Sequence, residues 1–301
     1  MARDAALQLL DPAAIARAEA LGLLAQDIVE GYMVGENKSP FHGFSIEFAQ
    51  HREYVPGDDT RHLDWKVLGR TDRYYLKQYE QETNYVAHLV LDGSESMKYG
   101  SGRQTKFQYT QIMAACLAYV ILLQRDAVSL NIFDTATRTH IPATGNRDMI
   151  FAMTAQLAAF TPTATTGIGT VLHDLAHQTR RRGLVIVISD LLDDETKVLD
   201  GLRHLRFKGH EVIVFHVLDP YELEFPFRGT VEFTGLEGIP TLLTQPAEIR
   251  QSYLRELEQF RTTLRRGCEK NKCHYTLVNT AHPLHEVLSS YLAFRRRTAT
   301  R

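Results

Sequence analysis

From residue 84 onward the chain alternates short, continuously apolar runs with longer amphipathic or apolar helical segments, and few folds accommodate that pattern. "YVAHLVLD" (85–92), "LVIVISD" (184–190) and "EVIVFHVLD" (211–219) carry almost no polar residues before their final acid. A strand with one wet face alternates apolar and polar side chains. Runs without alternation are buried on both faces, as in a parallel sheet covered by helices. The intervening segments predict helices over 106–125, 147–160, 168–181, 195–207 and about 246–270. "AVSLNIFD" (127–134) and "TRTHIPA" (137–143) read as a hairpin that adds one antiparallel edge strand. "HYTLVN" (274–279) is a further strand, and "PLHEVLSSYLAFRRR" closes the chain as helix. The predicted fold class is α/β, a doubly wound and mostly parallel sheet.

This domain is expected to span 84–301, with an insertion at about 220–245 that reads as hairpin-like. Residues 1–83 differ. A helical stretch (12–34) leads into short strand-like pieces around the turn "VPGDD", anchored by Trp65 and Tyr54. They predict a small N-terminal β-rich element ahead of the α/β domain.

Composition excludes several classes. With 44% apolar residues, 23% charged residues and a formal net charge of −2, the chain has no field that would attract nucleic acid. The triplets "RRR" at 180–182 and 295–297 read as solvated helix ends. The N-terminus lacks the apolar stretch and cleavage site of a signal peptide. The longest apolar run, "MAACLAYVILL" (113–123), is 11 residues, shorter than a bilayer span, and reads as a buried helix. No membrane insertion and a cytoplasmic location are the expectation. Three cysteines suit a reducing compartment. "CEKNKCH" lacks the second ligand pair of a structural zinc site. His173 and His177 share a helix face, but "HDLAH" has no glutamate for H-E-x-x-H chemistry.

The chemistry concentrates where two buried strands end. "HLVLDGSESM" places Asp92, Ser94 and Ser96 at alternate positions, and "VIVISD" ends on Asp190. In open α/β sheets, sites form beyond the carboxyl ends of strands where the strand order reverses. Two hydroxyls on a tight loop and two carboxylates are the oxygen donors that a hard cation such as Mg²⁺ requires. A threonine from 163–166 could complete the shell. A phosphohydrolase of haloacid-dehalogenase type also ends a strand on Asp, but uses Asp-x-Asp. Here position 94 is Ser, and no lysine falls in a motif that completes such a site. No phosphate-binding or dinucleotide glycine motif is present.

"DGSESM" resembles the Asp-x-Ser-x-Ser motif of the metal-ion-dependent adhesion site in von Willebrand factor A-like domains. The stretch "GFSIEFAQHREYVPGDDTRHLDWKVLGRTDRYYLKQYEQE" (43–82) resembles the hallmark of a bacterial family named only as domain of unknown function 58, where it precedes such a domain. The resemblance implies metal ligation by Asp92, Ser94, Ser96, Thr166 and Asp190. Where the family has Gly-Gly-Thr, this chain reads Ala164-Thr165-Thr166, so Thr163 and Thr165 stand as alternatives. It also implies a non-enzymatic interaction module that binds Mg²⁺, Mn²⁺ or Ca²⁺ and holds an acidic residue of a partner. The implied partners are a MoxR-type AAA+ ATPase and a protein client. The alternatives are a metal-independent scaffold and a Mg²⁺-dependent phosphohydrolase.

Overall fold

The computed structural model describes residues 47–53, 74–80, 86–179, 181–235 and 241–284, together with Val67, Gly69, Ser289 and Tyr291. The helix expected over 12–34, Tyr54, Trp65 and most of the segment expected as a closing helix lie outside the described residues. Within 47–80 the backbone forms a two-stranded antiparallel sheet, β1 (Glu47–Glu53) on β2 (Tyr75–Glu80).

The remaining strands are β3 (Val86–Asp92), β4 (Ala127–Phe133), β5 (Thr137–Thr144), β6 (Leu184–Ser189), β7 (Glu211–Leu218), β8 (Val231–Phe233), β9 (Leu242–Thr244) and β10 (His274–Asn279). The helices are α1 (Lys106–Leu123), α2 (Met149–Ala159), α3 (Ile168–Gln178), α4 (Glu195–Phe207), α5 (Pro220–Glu224) and α6 (Pro246–Lys270). Six strands form one sheet in the order β10-β7-β6-β3-β4-β5, all parallel except β5, which pairs antiparallel with β4 at the edge. The mixed, mostly parallel sheet of the sequence reading is present. The chain runs from β3 outward to β5, then returns to the other side of β3 with β6. Strand order therefore reverses between β3 and β6.

Period-2 geometry divides each apolar run between two cores. Leu89 and Leu91 of β3, Ile186 and Ile188 of β6, and Phe215 of β7 pack with α1 and α2. Val90, Val187 and Val214 face the opposite way, onto α3, α4 and α6. Both faces are dry at β3, β6 and β7, so these strands lack polar alternation. Helix α1 has the length and composition of a membrane span, but it is the central core helix, with Met113, Leu117 and Ile121 fully buried. A capping box closes its start, in which Thr105 accepts from the Gln108 N–H and Gln108 accepts from the Thr105 N–H.

Two local expectations shift. Helix α3 ends at Gln178, so Arg181 and Arg182 sit in the loop after it rather than on a helix end. The insertion opens with the short helix α5 before its hairpin, β8 on β9. Pro220 at the first helical position and the Asp219–Glu222 capping box explain that turn of helix.

Candidate metal centre

Beyond the carboxyl ends of β3 and β6, at the reversal point, the structure brings together Asp92, Ser94, Ser96, Thr166 and Asp190. Asp92 and Asp190 are both 0% exposed. Asp92 Oδ1 accepts the Ser94 backbone N–H at 2.9 Å. Its Oδ2 accepts the hydroxyls of Ser189 at 2.5 Å and Thr166 at 3.3 Å. The Ser94 and Ser96 hydroxyl oxygens are 3.0 Å apart, and the Ser96 hydroxyl also bonds Asp190. Of the three threonine options, Thr166 is the one on Asp92. The Thr163 hydroxyl accepts from Arg138 at 2.7 Å, and Thr165 is exposed.

Three local devices aim these groups. The residues after β3 turn into a short 3₁₀ segment (Glu95–Lys98), pinned to the 161–167 loop by the Glu95 N–H donating to Ala164 O at 2.7 Å. Gly167 lies so near the Thr135 backbone that a Cβ would stand 2.9 Å from its carbonyl oxygen. After β6, Leu191 adopts φ 58°, a left-handed conformation that costs a β-carbon-bearing residue roughly 1–2 kcal/mol. It is held there by its N–H on Ser189 Oγ at 2.8 Å and by complete burial of its side chain. The sharp turn leaves Asp190 facing Asp92 rather than continuing the strand.

The two carboxylates differ electrostatically. Burial, then the neighbouring charge of Asp190, pushes Asp92 up to about 7 against the hydrogen bonds from Ser189 and Ser94. Burial works against the charge of Asp190 too, but the ammonium of Lys106 outweighs it and holds that carboxyl below its usual range. Lys106 is the residue that sequence reasoning missed. It is the first residue of α1, fully buried, with Nζ 2.8 Å from Asp190 Oδ2 and 2.7 Å from Glu222 Oε1. Its one sequence signal was a lysine at a helix N-terminus, where the helix dipole disfavours a cation. Glu222 in turn accepts the Asp219 N–H at 2.7 Å, so the insertion is wired to the site.

The donor set fits a hard divalent ion. Two like charges buried side by side, one of them driven toward protonation, form a place where a cation is stabilised. Among the described residues no group of three or more His, Cys, Asp or Glu forms a metal cluster. An ion here would depend on hydroxyls and water alongside the two carboxylates, which suits Mg²⁺ or Mn²⁺ more than zinc.

The remaining histidines and cysteines of note lie elsewhere. His88 is within β3 with Nδ1 2.7 Å from Ser129 Oγ, and His173 Nδ1 lies 2.9 Å from His204 Nδ1 across α3 and α4. Cys268 and Cys273 are buried free thiols. A cavity of about 800 Å³ opens directly beside the site. Ser96 lines it together with Tyr99, Tyr221, Phe225, Phe233 and Tyr253.

The family described as "Protein of unknown function DUF58" matches residues 50–263. The chain belongs to that family. Uncharacterised proteins of Mycobacterium tuberculosis and Mycobacterium bovis are 27% identical to this DUF58 chain over 268 residues, 86% of this chain and 83% of each relative. The conserved hypothetical protein BatB from Bacteroides thetaiotaomicron is similar in structure, with a TM-score of 0.50 at 18% identity, over 71% of this chain and 99% of BatB. The VWA domain of SpRpn10 gives a TM-score of 0.39 at 12% identity, over 68% and 93% of the two chains. These structural likenesses concern fold alone. With the observed strand order, the DUF58 chain has an α/β fold built on a mixed, mostly parallel six-stranded sheet, similar to that of BatB.

Proposed function

We propose that this protein is a non-enzymatic interaction module. It binds one hard divalent cation, Mg²⁺ or its stand-ins Mn²⁺ and Ca²⁺, through Asp92, Ser94, Ser96, Thr166 and Asp190. The ion's open position then takes a carboxylate from a protein partner. The observation that carries this reading is the convergence of three hydroxyls, from two separate loops, on two fully buried carboxylates at the reversal of strand order. The partner expected from the family is a MoxR-type AAA+ ATPase, with a client protein beyond it. The aromatic cavity beside Ser96 would receive the apolar neighbours of the partner's acidic residue.

The test is isothermal titration of Mg²⁺ and Mn²⁺ into the chelator-stripped protein and into Ser94→Ala/Ser96→Ala. Binding by the wild type and its loss in a folded double variant is the expected result. Equal binding by the two proteins would sink the assignment. In a pull-down with the ATPase, Asp92→Ala should abolish the metal-dependent fraction.

One observation favours a second reading. Lys106 on Asp190 provides the lysine that the sequence motifs lacked for a phosphohydrolase. Position 94 still offers a hydroxyl where that chemistry needs a carboxylate. Mg²⁺-dependent turnover of an aryl phosphate, lost in Asp92→Asn, would reverse the preference.

A further inference from the structure

Two members of the buried triad of Lys106, Asp190 and Glu222, the lysine and Glu222, lie outside the five-residue site. The lysine is 0% exposed and is shared between two carboxylates at 2.8 and 2.7 Å. Burying an ammonium is costly, and an apolar side chain of similar length would stabilise such a position as well or better. The rest of α1 shows that choice, since Met113, Ala114, Cys116 and Leu117 fill the same core without charge. A cation here has a clear electrostatic consequence. It stands within hydrogen-bonding distance of a carboxylate assigned to the metal, so its charge and that of a divalent ion would compete for Asp190. Glu222 also holds this ammonium, at 2.7 Å, and shares its charge.

We propose that Lys106 is a resident cation of the metal centre. It neutralises Asp190, so that a divalent ion is held chiefly by Asp92 and the three hydroxyls. The division of its charge between Asp190 and Glu222 sets how tightly the ion binds. The proposal rests on the metal site described under the proposed function. It adds a residue outside the adhesion motif, and makes Glu222 of the insertion part of the control of that site.

The experiment is titration of Mg²⁺ alone into chelator-stripped wild type, Lys106→Met and Glu222→Gln, each checked for folding by circular dichroism and thermal melting. Lys106→Met keeps the aliphatic stem and removes the charge, and should tighten Mg²⁺ about tenfold or more. Glu222→Gln leaves the ammonium wholly on Asp190 and should weaken Mg²⁺ several-fold. A purely structural lysine would instead move the melting temperature while leaving the dissociation constant unchanged or poorer in Lys106→Met. That result overturns the proposal. If Lys106→Met does not fold, Glu222→Gln decides, and unchanged or tighter binding there overturns it. Binding by Lys106→Met with a silent wild type upholds the resident cation and removes the metal-bridging function from the natural protein. Silence in both proteins overturns both ideas.

Discussion

Asp92 and Asp190 are the same residue type at the ends of adjacent parallel strands, equally buried, yet their proton affinities move in opposite directions. What separates them is one ammonium 84 residues away from Asp190 in sequence, delivered by the start of α1. Their placement at the ends of two buried strands was readable from the sequence; their inequality was not. A second residue-scale effect concerns His88. Burial, then the charges of His210 and His140, lowers its pKa to about 4. The unfolded chain takes up that proton near the ordinary value of about 6.5, while the folded chain resists it. The sign is therefore that stability is complete above pH 6.5 and falls as the pH drops toward 4. At pH 5 the loss amounts to about 2 kcal/mol. The change in stability between pH 7 and pH 5, measured by urea unfolding, should be less destabilising in His88→Gln than in the wild type by about that amount. An undiminished difference would assign the acid sensitivity to other groups.

At the scale of elements, the loop 161–167 shows how backbone packing sets side-chain chemistry. The sequence left three threonines open, because a string of Thr residues has no internal ruler. The choice of Thr166 comes from contacts with other segments: Arg138 takes Thr163, Ala164 O accepts from Glu95, and Gly167 packs on Thr135. Arg138 is itself steadied by stacking 4.7 Å over the Phe160 ring. Gly167→Ala should push this loop off the Thr135 carbonyl, costing on the order of 1–2 kcal/mol, and weaken Mg²⁺ binding as Thr166 withdraws. Melting and titration measure the two effects separately. A lower melting temperature with unchanged Mg²⁺ affinity would show that Thr166 is not a ligand. The Leu191 turn illustrates the balance of terms. Its strain of roughly 1–2 kcal/mol is offset by the roughly 1.5–3 kcal/mol gained by fully burying a leucine side chain, so the strained backbone persists.

For the molecule as a whole, the sheet divides two cores and places its point of reversal between β3 and β6, where the site sits. Four strand ends carry an acid here: Asp92, Asp134, Asp190 and Asp219. Two of them serve structure, since Asp134 pairs with Arg138 at 2.9 Å and Asp219 caps α5 and binds Ser101. The insertion adds Tyr221, Phe225 and Phe233 beside the site, with Tyr221 and Leu192 left exposed. Exposed apolar side chains around a polar centre are typical of a contact surface. If the proposed ATPase is the partner, Tyr221→Ala and Phe233→Ala should each reduce its metal-dependent capture while leaving Mg²⁺ affinity unchanged. Loss of Mg²⁺ binding in these variants would instead make the pocket a support of the ion site.

The sequence by itself determined the class of the fold, because continuous Val, Ile and Leu runs between helical segments have few other ways to be buried. It also determined the Asp-Gly-Ser-Glu-Ser loop, since alternate residues on one tight turn are local geometry. Only the tertiary structure decided that Lys106 and Glu222 belong to the same centre, that Thr166 rather than its neighbours faces Asp92, and that an aromatic cavity borders Ser96. Those decisions depend on contacts between segments tens of residues or more apart. A buried charge is recognised by its partners, and partners so distant in sequence leave no periodic trace along the chain.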